Sequence, residues 1–478
     1  MLLPLLRKGD YIYGSFVNPE STNGFINDSN PGNREDHIGR FPFSLANASK
    51  AIAYAKAVQP SWAQKPLQER LDPAKEFRCQ LERRMKYIAH ILTREIGLPV
   101  WEAHQEIKQT MHLLNDVISN APKILQAQPL YGEKHFPLGT LAAMTPYSLA
   151  LQTPALFSVA AIVSGNTLVH KPSKYTPGLG QCIAELWDRC KLPRGVYNMV
   201  QGPGSQIGQA FLSNPHLDGL LFAGSYSTAS NIRKKALPSI PLFMYMGGKS
   251  NAILLEDANV EDACRAILAS AFRATGQRPS AISRVIVPTS LFQQVKNILS
   301  NSSEQISIGH GEEPNVYIGP LISEHWRTRY HRYGRNLHAN GHQSIRPTAN
   351  VQVNKRGFYV QPAIYQIQWR NGAPMIEDEP PGPFILLYET NNIEDSIQLH
   401  NQFAFRRMTS VFTNMQRTDL HKVVQQIDTG AVFLNQAPQE ISAPVTGAGK
   451  SSNGVQMGMG LLSLLTRKSV TFSPNKSD

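Results

Sequence analysis

The sequence contains few cysteines and lacks the features that mark several other classes of protein. Only four cysteines occur in 478 residues, and no paired spacing relates Cys79, Cys182, Cys190 and Cys264. This pattern argues against a disulfide framework and a zinc site, and it predicts buried, reduced thiols in a cytoplasmic protein. No internal repeat is evident, which excludes a solenoid or a propeller. The N-terminal stretch MLLPLLRKGD places its charges after the apolar patch, so a secretory signal peptide is not expected.

A membrane span is also not expected, although one long stretch carries no charge. From Phe136 to Val169 there is no Asp, Glu, Lys or Arg, but prolines, Gln152 and Asn166 interrupt the stretch. No apolar run reaches the roughly 20 residues that a spanning helix needs. The pattern instead predicts a buried strand, a turn, a helix packed on a sheet, and a second buried strand.

The charge is unbalanced towards basic residues. Lys and Arg number 47 against 35 Asp and Glu, for a formal net charge of +12. A nucleic-acid partner would explain this excess. However, the basic residues are scattered, and no Lys/Arg run is interleaved with aromatics. An anionic small ligand explains the charge equally well, so nucleic acid is not the predicted partner.

The order of predicted elements indicates an α/β protein with two lobes. Residues 46–120 show helical periodicity, and strands then alternate with helices over residues 139–225 and again over 250–440. This alternation predicts βαβ units, parallel sheets and a nucleotide-type crevice at the strand ends.

The tail, LLSLLTRKSVTFSP, is predicted to end in a strand in which Val470 and Phe472 alternate with Thr471 and Ser473. Its expected partner is either residues 122–138 or another subunit.

The stretch GQRPSAISRV, residues 276–285, has the shape of a loop that presents a nucleophile. It joins a predicted helix over residues 260–275 to a predicted strand. Such junctions often present a reactive side chain beside a cofactor. Here the residues predicted to be exposed are Arg278, Pro279 and Ser280, and none of them is a cysteine.

Many segments, taken in order from about residue 45 to 470, together resemble the aldehyde dehydrogenase superfamily, and within it most closely the succinylglutamate semialdehyde dehydrogenases. The matching segments include SGNTLVHKPS, LPRGVYNMVQG, LDGLLFAGS, MGGKSN, GQR, GPLISE, GPFILLY and APVTGAGKSSNG. The resemblance implies a Rossmann-like NAD(P)-binding lobe, an α/β catalytic lobe and a small β extension for oligomer contacts. It assigns residues 1–120 and 138–248 to the first, 249–450 to the second, and 121–137 with 451–478 to the third. A homo-oligomer, dimer or larger, is therefore expected.

The resemblance also shows that three family positions for chemistry are replaced. In the family, a G-Q-x-C loop supplies the cysteine that forms a thiohemiacetal and then a thioester, and Pro279 stands at the cysteine position. Tyr245 stands where the family has a glutamate base, and a phenol with a pKa near 10 is a poor base at neutral pH. Ser148 stands where the family has an asparagine that stabilises the oxyanion, and loss of one such donor costs roughly 3–4 kcal/mol.

The cofactor positions are partly retained, and the family cofactor is NAD or NADP. The resemblance assigns cofactor contacts to Lys171, Lys174, Gly224, Ser225 and Glu379. Lys174 replaces a glutamate that binds the adenosine ribose, so any preference leans towards NADP. Ala229 and Pro381 replace a glycine and an aromatic residue. These replacements argue against cofactor binding, and no metal is implied.

Three hypotheses remain open. The first is a catalytically inactive family member with a role in binding a small aldehyde or acyl ligand, or in assembly. The second is an active enzyme with substituted chemistry, for which Ser280 is the hydroxyl beside the lost cysteine. The third is a basic scaffold that binds RNA or another anion.

Overall fold

The structure is a computed structural model, and it describes residues 8–126, 134–369, 376, 378–439, 446–451 and 458–469. The helices are α1 Leu45–Ala63, α2 Leu67–Arg83, α3 Met85–Ile96, α4 Val100–Leu125, α5 Gln152–Val163, α6 Pro177–Asp188, α7 Gly204–Leu212, α8 Tyr226–Lys235, α9 Val260–Ala271, α10 Thr289–Glu304, α11 Glu324–Ala339, α12 Ile393–Gln402, α13 Arg417–Val424 and α14 Gly460–Leu464. The strands are β1 Asp10–Ile12, β2 Ser15–Val17, β3 Gly24–Ser29, β4 His37–Phe43, β5 Lys134–Pro137, β6 Thr140–Met144, β7 Thr167–Lys171, β8 Tyr197–Met199, β9 Gly219–Gly224, β10 Leu242–Met246, β11 Ser250–Leu254, β12 Ile282–Pro288, β13 Gln343–Arg346, β14 Ala363–Ile367, β15 Phe384–Thr390, β16 Phe405–Arg406, β17 Thr409–Phe412, β18 Val432–Leu434, β19 Ala448–Gly449 and β20 Thr466–Ser469.

The first large sheet has seven strands in the order β10-β9-β6-β7-β8-β1-β2. Strands β6 to β10 run parallel, whereas β1 is antiparallel to both β8 and β2. Helix α5 packs against β6 and β7, and every one of its residues is buried. A helix can be buried on all sides here because its sequence, QTPALFSVAAIV, contains no charge.

The second large sheet has seven strands in the order β13-β14-β15-β12-β11-β17-β18. All neighbours are parallel except the edge strand β13, which is antiparallel to β14. The central strands β12 and β15 are mostly apolar, as parallel strands covered on both faces require, although β12 also buries Ser283 and Arg284. Together the two sheets give the predicted α/β architecture.

The tail strand β20 pairs with β5 in a separate antiparallel ribbon, in which Thr466 lies opposite Pro137 and Arg467 opposite Phe136. Of the two pairings considered for the tail, the structure therefore has the one within the chain. The alternation predicted for Val470, Thr471, Phe472 and Ser473 lies outside the described residues. None of the helices in the described part of the chain has the length and apolarity needed to cross a bilayer.

The helix predicted over residues 260–275 is shorter than expected. Helix α9 ends at Ala271 and is followed by a single 3₁₀ turn, Arg273–Gly276. Within this turn, Ala274 and Thr275 have φ angles of 46° and 55°, which a right-handed helix excludes. The helical periodicity extended into a segment whose backbone is left-handed, and composition alone does not reveal that change.

Candidate functional site

A cavity of about 370 Å³ lies between the carboxyl ends of strands in the first sheet and the amino ends of strands in the second. The first sheet contributes the segments that end or follow β6, β9 and β10, and the second contributes those that precede β11, β12 and β15. Of the residues predicted for the site, the cavity brings together Ser148, Gly224, Ser225, Tyr245, Pro279 and Glu379. Lys171, Lys174 and Ser280 are not among the lining residues.

Pro279 stands at the end of a strained loop. Three successive residues, Ala274, Thr275 and Gly276, have positive φ angles of 46°, 55° and 64°. A left-handed non-glycine residue costs of order 1–3 kcal/mol and persists only where the surroundings impose it. At Gly276 a side chain is also excluded because an added Cβ would lie 2.4 Å from the Gly382 carbonyl oxygen.

Hydrogen bonds from distant elements hold this loop. The backbone N–H of Ala274 donates to Glu102 Oε2 over 2.9 Å, and Thr275 Oγ1 donates to the Gly319 carbonyl over 2.9 Å. The amide oxygen of Gln277 accepts from the backbone N–H of Ile322 at 3.0 Å. The loop is therefore fixed by helix α4 and by the segment that precedes α11.

The prediction that Arg278 is exposed is wrong. Its side chain is buried, with its Nε 3.3 Å from Glu102 Oε1 and its Nη2 3.0 Å from Glu106 Oε2. Both carboxylates are fully buried on α4. Burial raises the pKa of Glu106, and the Arg278 charge opposes that rise. The guanidinium turns into the protein because these two buried charges require a buried cation.

Ser280 is also buried, which corrects its predicted exposure. Its carbonyl accepts a hydrogen bond from Ser270 Oγ at 3.1 Å. In the described part of the chain, no histidine is hydrogen-bonded to it. Arg278 and Pro279 both line the cavity. Of the three residues predicted to be exposed in this loop, only Pro279 is partly accessible.

Tyr245 lies near the carboxyl end of β10, and its side chain is buried. The Arg407 guanidinium stacks on it, with Cζ 4.2 Å from the ring centroid. This cation–π contact places the phenol ring between a buried cation and the cavity.

The four cysteines lie elsewhere, and none of them lines the cavity. Cys182, Cys190 and Cys264 are buried in helices or at a helix end, and burial raises the pKa of each thiol, for Cys264 to about 12. A thiol with a raised pKa is a poor nucleophile because the thiolate is the reactive form. All four cysteines are free, as predicted, but Cys79 is only half-buried, so the prediction of burial is confirmed for the other three. Among the described residues, no group of three or more His, Cys, Asp or Glu is placed to hold a metal ion.

The lysines predicted to contact the cofactor lie outside the cavity. Lys171 is buried, and its Nζ donates to the carbonyls of Pro172 at 2.6 Å and Gly202 at 3.4 Å. Burial, together with the Lys174 charge, lowers its pKa to about 8. Lys174 is exposed, with Nζ 5.0 Å from the centroid of the Tyr175 ring. That ring in turn contacts Tyr147, a cavity residue, with centroids 5.5 Å apart.

The amino terminus of helix α8 faces the cavity and suits an anion. Ser225 caps the helix by accepting from the Thr228 backbone N–H at 3.3 Å, and Gly224, Ser225 and Ser227 line the cavity. Unpaired N–H groups and the helix dipole favour phosphate at such a position. Ala229 is buried in the core below and does not line the cavity. The phosphates of NAD or NADP therefore fit this end of the site.

Two further parts of the cavity carry no sequence prediction. Lys249, in the segment MGGKSN, is buried; its backbone N–H donates to Glu379 Oε1 at 2.6 Å and its Nζ donates to the Gly382 carbonyl at 2.6 Å. On α11, Arg329 lies with Cζ 4.7 Å from the Trp326 ring centroid, and Trp326 lies 6.3 Å from Tyr147. The cavity thus combines aromatic rings with cationic groups.

The family model for aldehyde dehydrogenases matches residues 16–470. The chain belongs to the aldehyde dehydrogenase family. This confirms the resemblance that the sequence motifs indicated, and the fold agrees with it.

Relatives and solved structures of the family cover nearly the whole chain. The chain is 29% identical over 462 residues to an alpha-ketoglutaric semialdehyde dehydrogenase of Bacillus subtilis, covering 93% of each. It is 30% identical over 432 residues to an N-succinylglutamate 5-semialdehyde dehydrogenase of Salmonella paratyphi A, covering 86% of this chain and 85% of the relative. A mutant of aldehyde dehydrogenase C from Pseudomonas syringae, solved with NAD⁺ and octanal, superposes with a TM-score of 0.93 at 23% identity, covering 100% of this chain and 99% of that one.

Proposed function

We propose that this aldehyde dehydrogenase homologue is catalytically inactive in aldehyde oxidation and binds a small aldehyde or acyl ligand. The observation that carries the proposal is Pro279, which lines the cavity at the position where the family places its nucleophilic cysteine. Proline has neither a nucleophilic side chain nor a backbone N–H that could help an oxyanion. Ser148 and Tyr245 line the same cavity, so the replaced residues share one site.

Substituted serine chemistry is the less favoured alternative. A serine nucleophile needs a neighbouring base that accepts its proton. Ser280 is buried outside the cavity lining, and among the described residues no histidine is hydrogen-bonded to it. Both facts count against attack by Ser280 on a ligand in the cavity.

The residues expected to contact the phosphates of NAD or NADP support cofactor binding better than the residues expected to contact its ribose groups. The amino terminus of α8 offers backbone N–H groups and serine hydroxyls to an anion. The Lys171 amine, in contrast, is already hydrogen-bonded to two carbonyl oxygens, and Glu379 accepts from the Lys249 backbone. A bound cofactor would supply a hydride acceptor, but here we propose only that its phosphates lie at Ser225 and Ser227.

The cavity lining supports a ligand with an anionic group. Arg329 faces the cavity on α11, and in the described part of the chain no carboxylate lies within ion-pair distance of it. A half-buried guanidinium in a cavity is a suitable partner for a carboxylate. The two relatives are named for semialdehydes that each retain at least one carboxylate, which is this chemistry.

The proposal also includes assembly as a cytoplasmic homo-oligomer, dimer or larger. The first lobe meets the β extension at residues 120 and 138, and it meets the second lobe at residue 248. The β5/β20 ribbon supports this assembly, because Phe136 is half exposed and, among the described residues, no third strand pairs with either edge of the ribbon. Open strand edges are an aggregation hazard unless they are covered. Light scattering of the full-length protein at micromolar concentration should give at least a dimer mass, and deletion of residues 466–478 should lower it. A monomeric mass for the full-length chain contradicts this part of the proposal.

The central test is an oxidation assay with a binding control. We expect no NADH or NADPH formation when the purified protein meets N-succinylglutamate 5-semialdehyde and either cofactor. A thermal-shift titration with the same aldehyde should nevertheless raise the melting temperature. Cofactor reduction that disappears in Ser280→Ala would support the substituted enzyme and overturn the proposal.

A further inference from the structure

Lys249 is a buried amine that lines the cavity. It follows the turn after β10, and 7% of its surface is accessible. Its Nζ has the Gly382 carbonyl as a hydrogen-bond acceptor at 2.6 Å, in the loop that precedes β15. An ammonium has three N–H donors, so this contact leaves the other two without a partner among the described residues. The amine of this cavity-lining residue therefore lacks a full set of acceptors among the described residues.

Burial favours the neutral form of Lys249. Burial lowers the pKa of Lys249 to about 7; the Glu379 carboxylate opposes this, and the Arg284 guanidinium adds to it. Burial also raises the pKa of Glu379, which lines the same cavity. No carboxylate oxygen of a described residue lies within ion-pair distance of Nζ. A neutral amine and a carboxyl group able to hold a proton can thus occupy one site.

We propose that Lys249 forms a reversible imine with an aldehyde bound in this cavity. The inference rests on the proposed function, because it requires the cavity to hold an aldehyde. It goes beyond that function by giving the ligand a covalent partner that is not a cysteine. Buried lysines of this kind are the usual source of Schiff bases in proteins.

The reaction balances without an oxidant or a reductant. The lone pair of the neutral amine forms a C–N bond to the carbonyl carbon, and the carbonyl π electrons move to oxygen. After the proton moves from nitrogen to oxygen, the product is a carbinolamine. The C–O bond then breaks, and the oxygen leaves as water after taking a proton, for which Glu379 is a carboxyl donor that lines the cavity. The nitrogen lone pair forms the C=N bond, and the resulting iminium returns its N–H proton to the Glu379 carboxylate. The sum is aldehyde plus amine giving imine plus water.

The second lysine in the cavity has different surroundings and serves as the control. Lys450 lines the cavity near the amino terminus of α8, where its Nζ lies 5.6 Å from the centroid of the Tyr226 ring. Lys450 is half-buried, whereas Lys249 is buried. Comparison of Lys249 with Lys450 therefore separates imine formation at a defined amine from simple proximity to the ligand.

The test is reductive trapping on the full-length protein. The protein is incubated with N-succinylglutamate 5-semialdehyde, or with octanal as an apolar probe, in the absence of NAD and NADP. Sodium cyanoborohydride reduces any imine to a secondary amine, and peptide mass mapping locates it. We expect the adduct on Lys249, at least tenfold less labelling of the protein in Lys249→Arg, and unchanged labelling in Lys450→Arg. No adduct at saturating aldehyde, or adducts spread over surface lysines, overturns the proposal.

The outcome is distinguishable from failure of the proposed function, because the trapping contains no cofactor. If NADH or NADPH forms in the oxidation assay, the inactive-homologue proposal fails whatever the map shows. If neither cofactor reduction nor a Lys249 adduct is found, only the imine proposal fails. The wild-type map does not depend on whether Lys249→Arg folds. The labelling rate at Lys249 should also level off above about pH 7, whereas exposed lysines, with an ordinary pKa near 10.4, continue to gain reactivity.

Discussion

The two sides of the cavity each contain a buried cation, but the two cations have different surroundings. On the loop that ends at Pro279, Arg278 faces two buried carboxylates, Glu102 and Glu106, at 3.3 and 3.0 Å. On the other side, Lys249 faces one carbonyl oxygen at 2.6 Å, and Glu379 acts on it only at longer range. The first cation lies between two carboxylates and keeps its proton, since arginine stays charged in proteins. Burial lowers the pKa of the second, which favours loss of its proton.

This difference indicates a different role for each side of the cavity. The Arg278 side keeps a strained backbone in place although its nucleophile is absent, so its role is structural. The Lys249 side keeps groups whose pKa values are shifted towards neutrality, as expected where chemistry or ligand binding is retained. The comparison can be tested on stability, on pH dependence, on ligand selectivity and on turnover.

The largest effect is expected for Arg278→Met. The substitution leaves buried Glu106 without a cation and Glu102 with Arg273 alone, and breaking a buried ion pair in this way costs about 3–5 kcal/mol. Urea unfolding followed by circular dichroism measures the loss. Arg265→Met is the matched control, because its pair with Asp262 is exposed and should contribute about 0.5 kcal/mol or less. Equal losses in the two variants would remove the structural role assigned to Arg278.

A smaller effect is expected on the pH dependence of stability in Lys249→Met. The folded pKa of Lys249 is lowered to about 7 from 10.5, so between these values the unfolded chain binds more protons than the folded one. The free energy of unfolding of the wild type should therefore increase, on the order of 1–3 kcal/mol, as the pH rises from 7 to 10. The variant should lack this gain, because all other titrating groups are common to both proteins. Parallel stability curves over this window would show that Lys249 is charged in the folded protein.

The sequence predicted the architecture well and the orientation of the loop side chains badly. The regular alternation around segments such as GLLFAG made the strands and helices of the first sheet recognisable. Strands β1 and β2, with three residues each, are too short to show a period, and no pattern in the sequence predicts them.

Arg278 was expected at the surface because it is charged and lies in a turn, but its partner Glu106 is 172 residues away in the chain. The same limit applies to Lys249, whose motif was recognised while its contact with Gly382, 133 residues away, was not predictable. Burial of a charge depends on tertiary partners, which no local pattern contains.

A selective effect on ligand affinity is expected for Arg329→Gln. If the cavity binds an anionic aldehyde, loss of the guanidinium should weaken N-succinylglutamate 5-semialdehyde about 3- to 10-fold, which corresponds to roughly 1 kcal/mol for a half-exposed charge pair. Octanal, which has no carboxylate, should bind unchanged. Arg332→Gln is the matched control, because this exposed arginine on the same helix does not line the cavity. Thermal-shift titrations measure both ligands, and equal weakening of the two would contradict carboxylate recognition by Arg329.

The smallest effect on turnover is expected for Pro279→Cys, although it restores the family's nucleophile to the loop. Position 279 lines the cavity, so the new thiol should react with iodoacetamide. The wild type has no thiol at this position. Release of an acyl group still needs a base and an oxyanion donor, and Tyr245 and Ser148 supply neither as the family does. Because catalytic residues act as a unit, one restored member gives little alone. Steady-state NADH or NADPH formation with N-succinylglutamate 5-semialdehyde should therefore stay at background in Pro279→Cys. Cofactor reduction should rise only when Tyr245→Glu and Ser148→Asn are added. Turnover by Pro279→Cys alone would show that the thiol is the only catalytic group missing from the cavity.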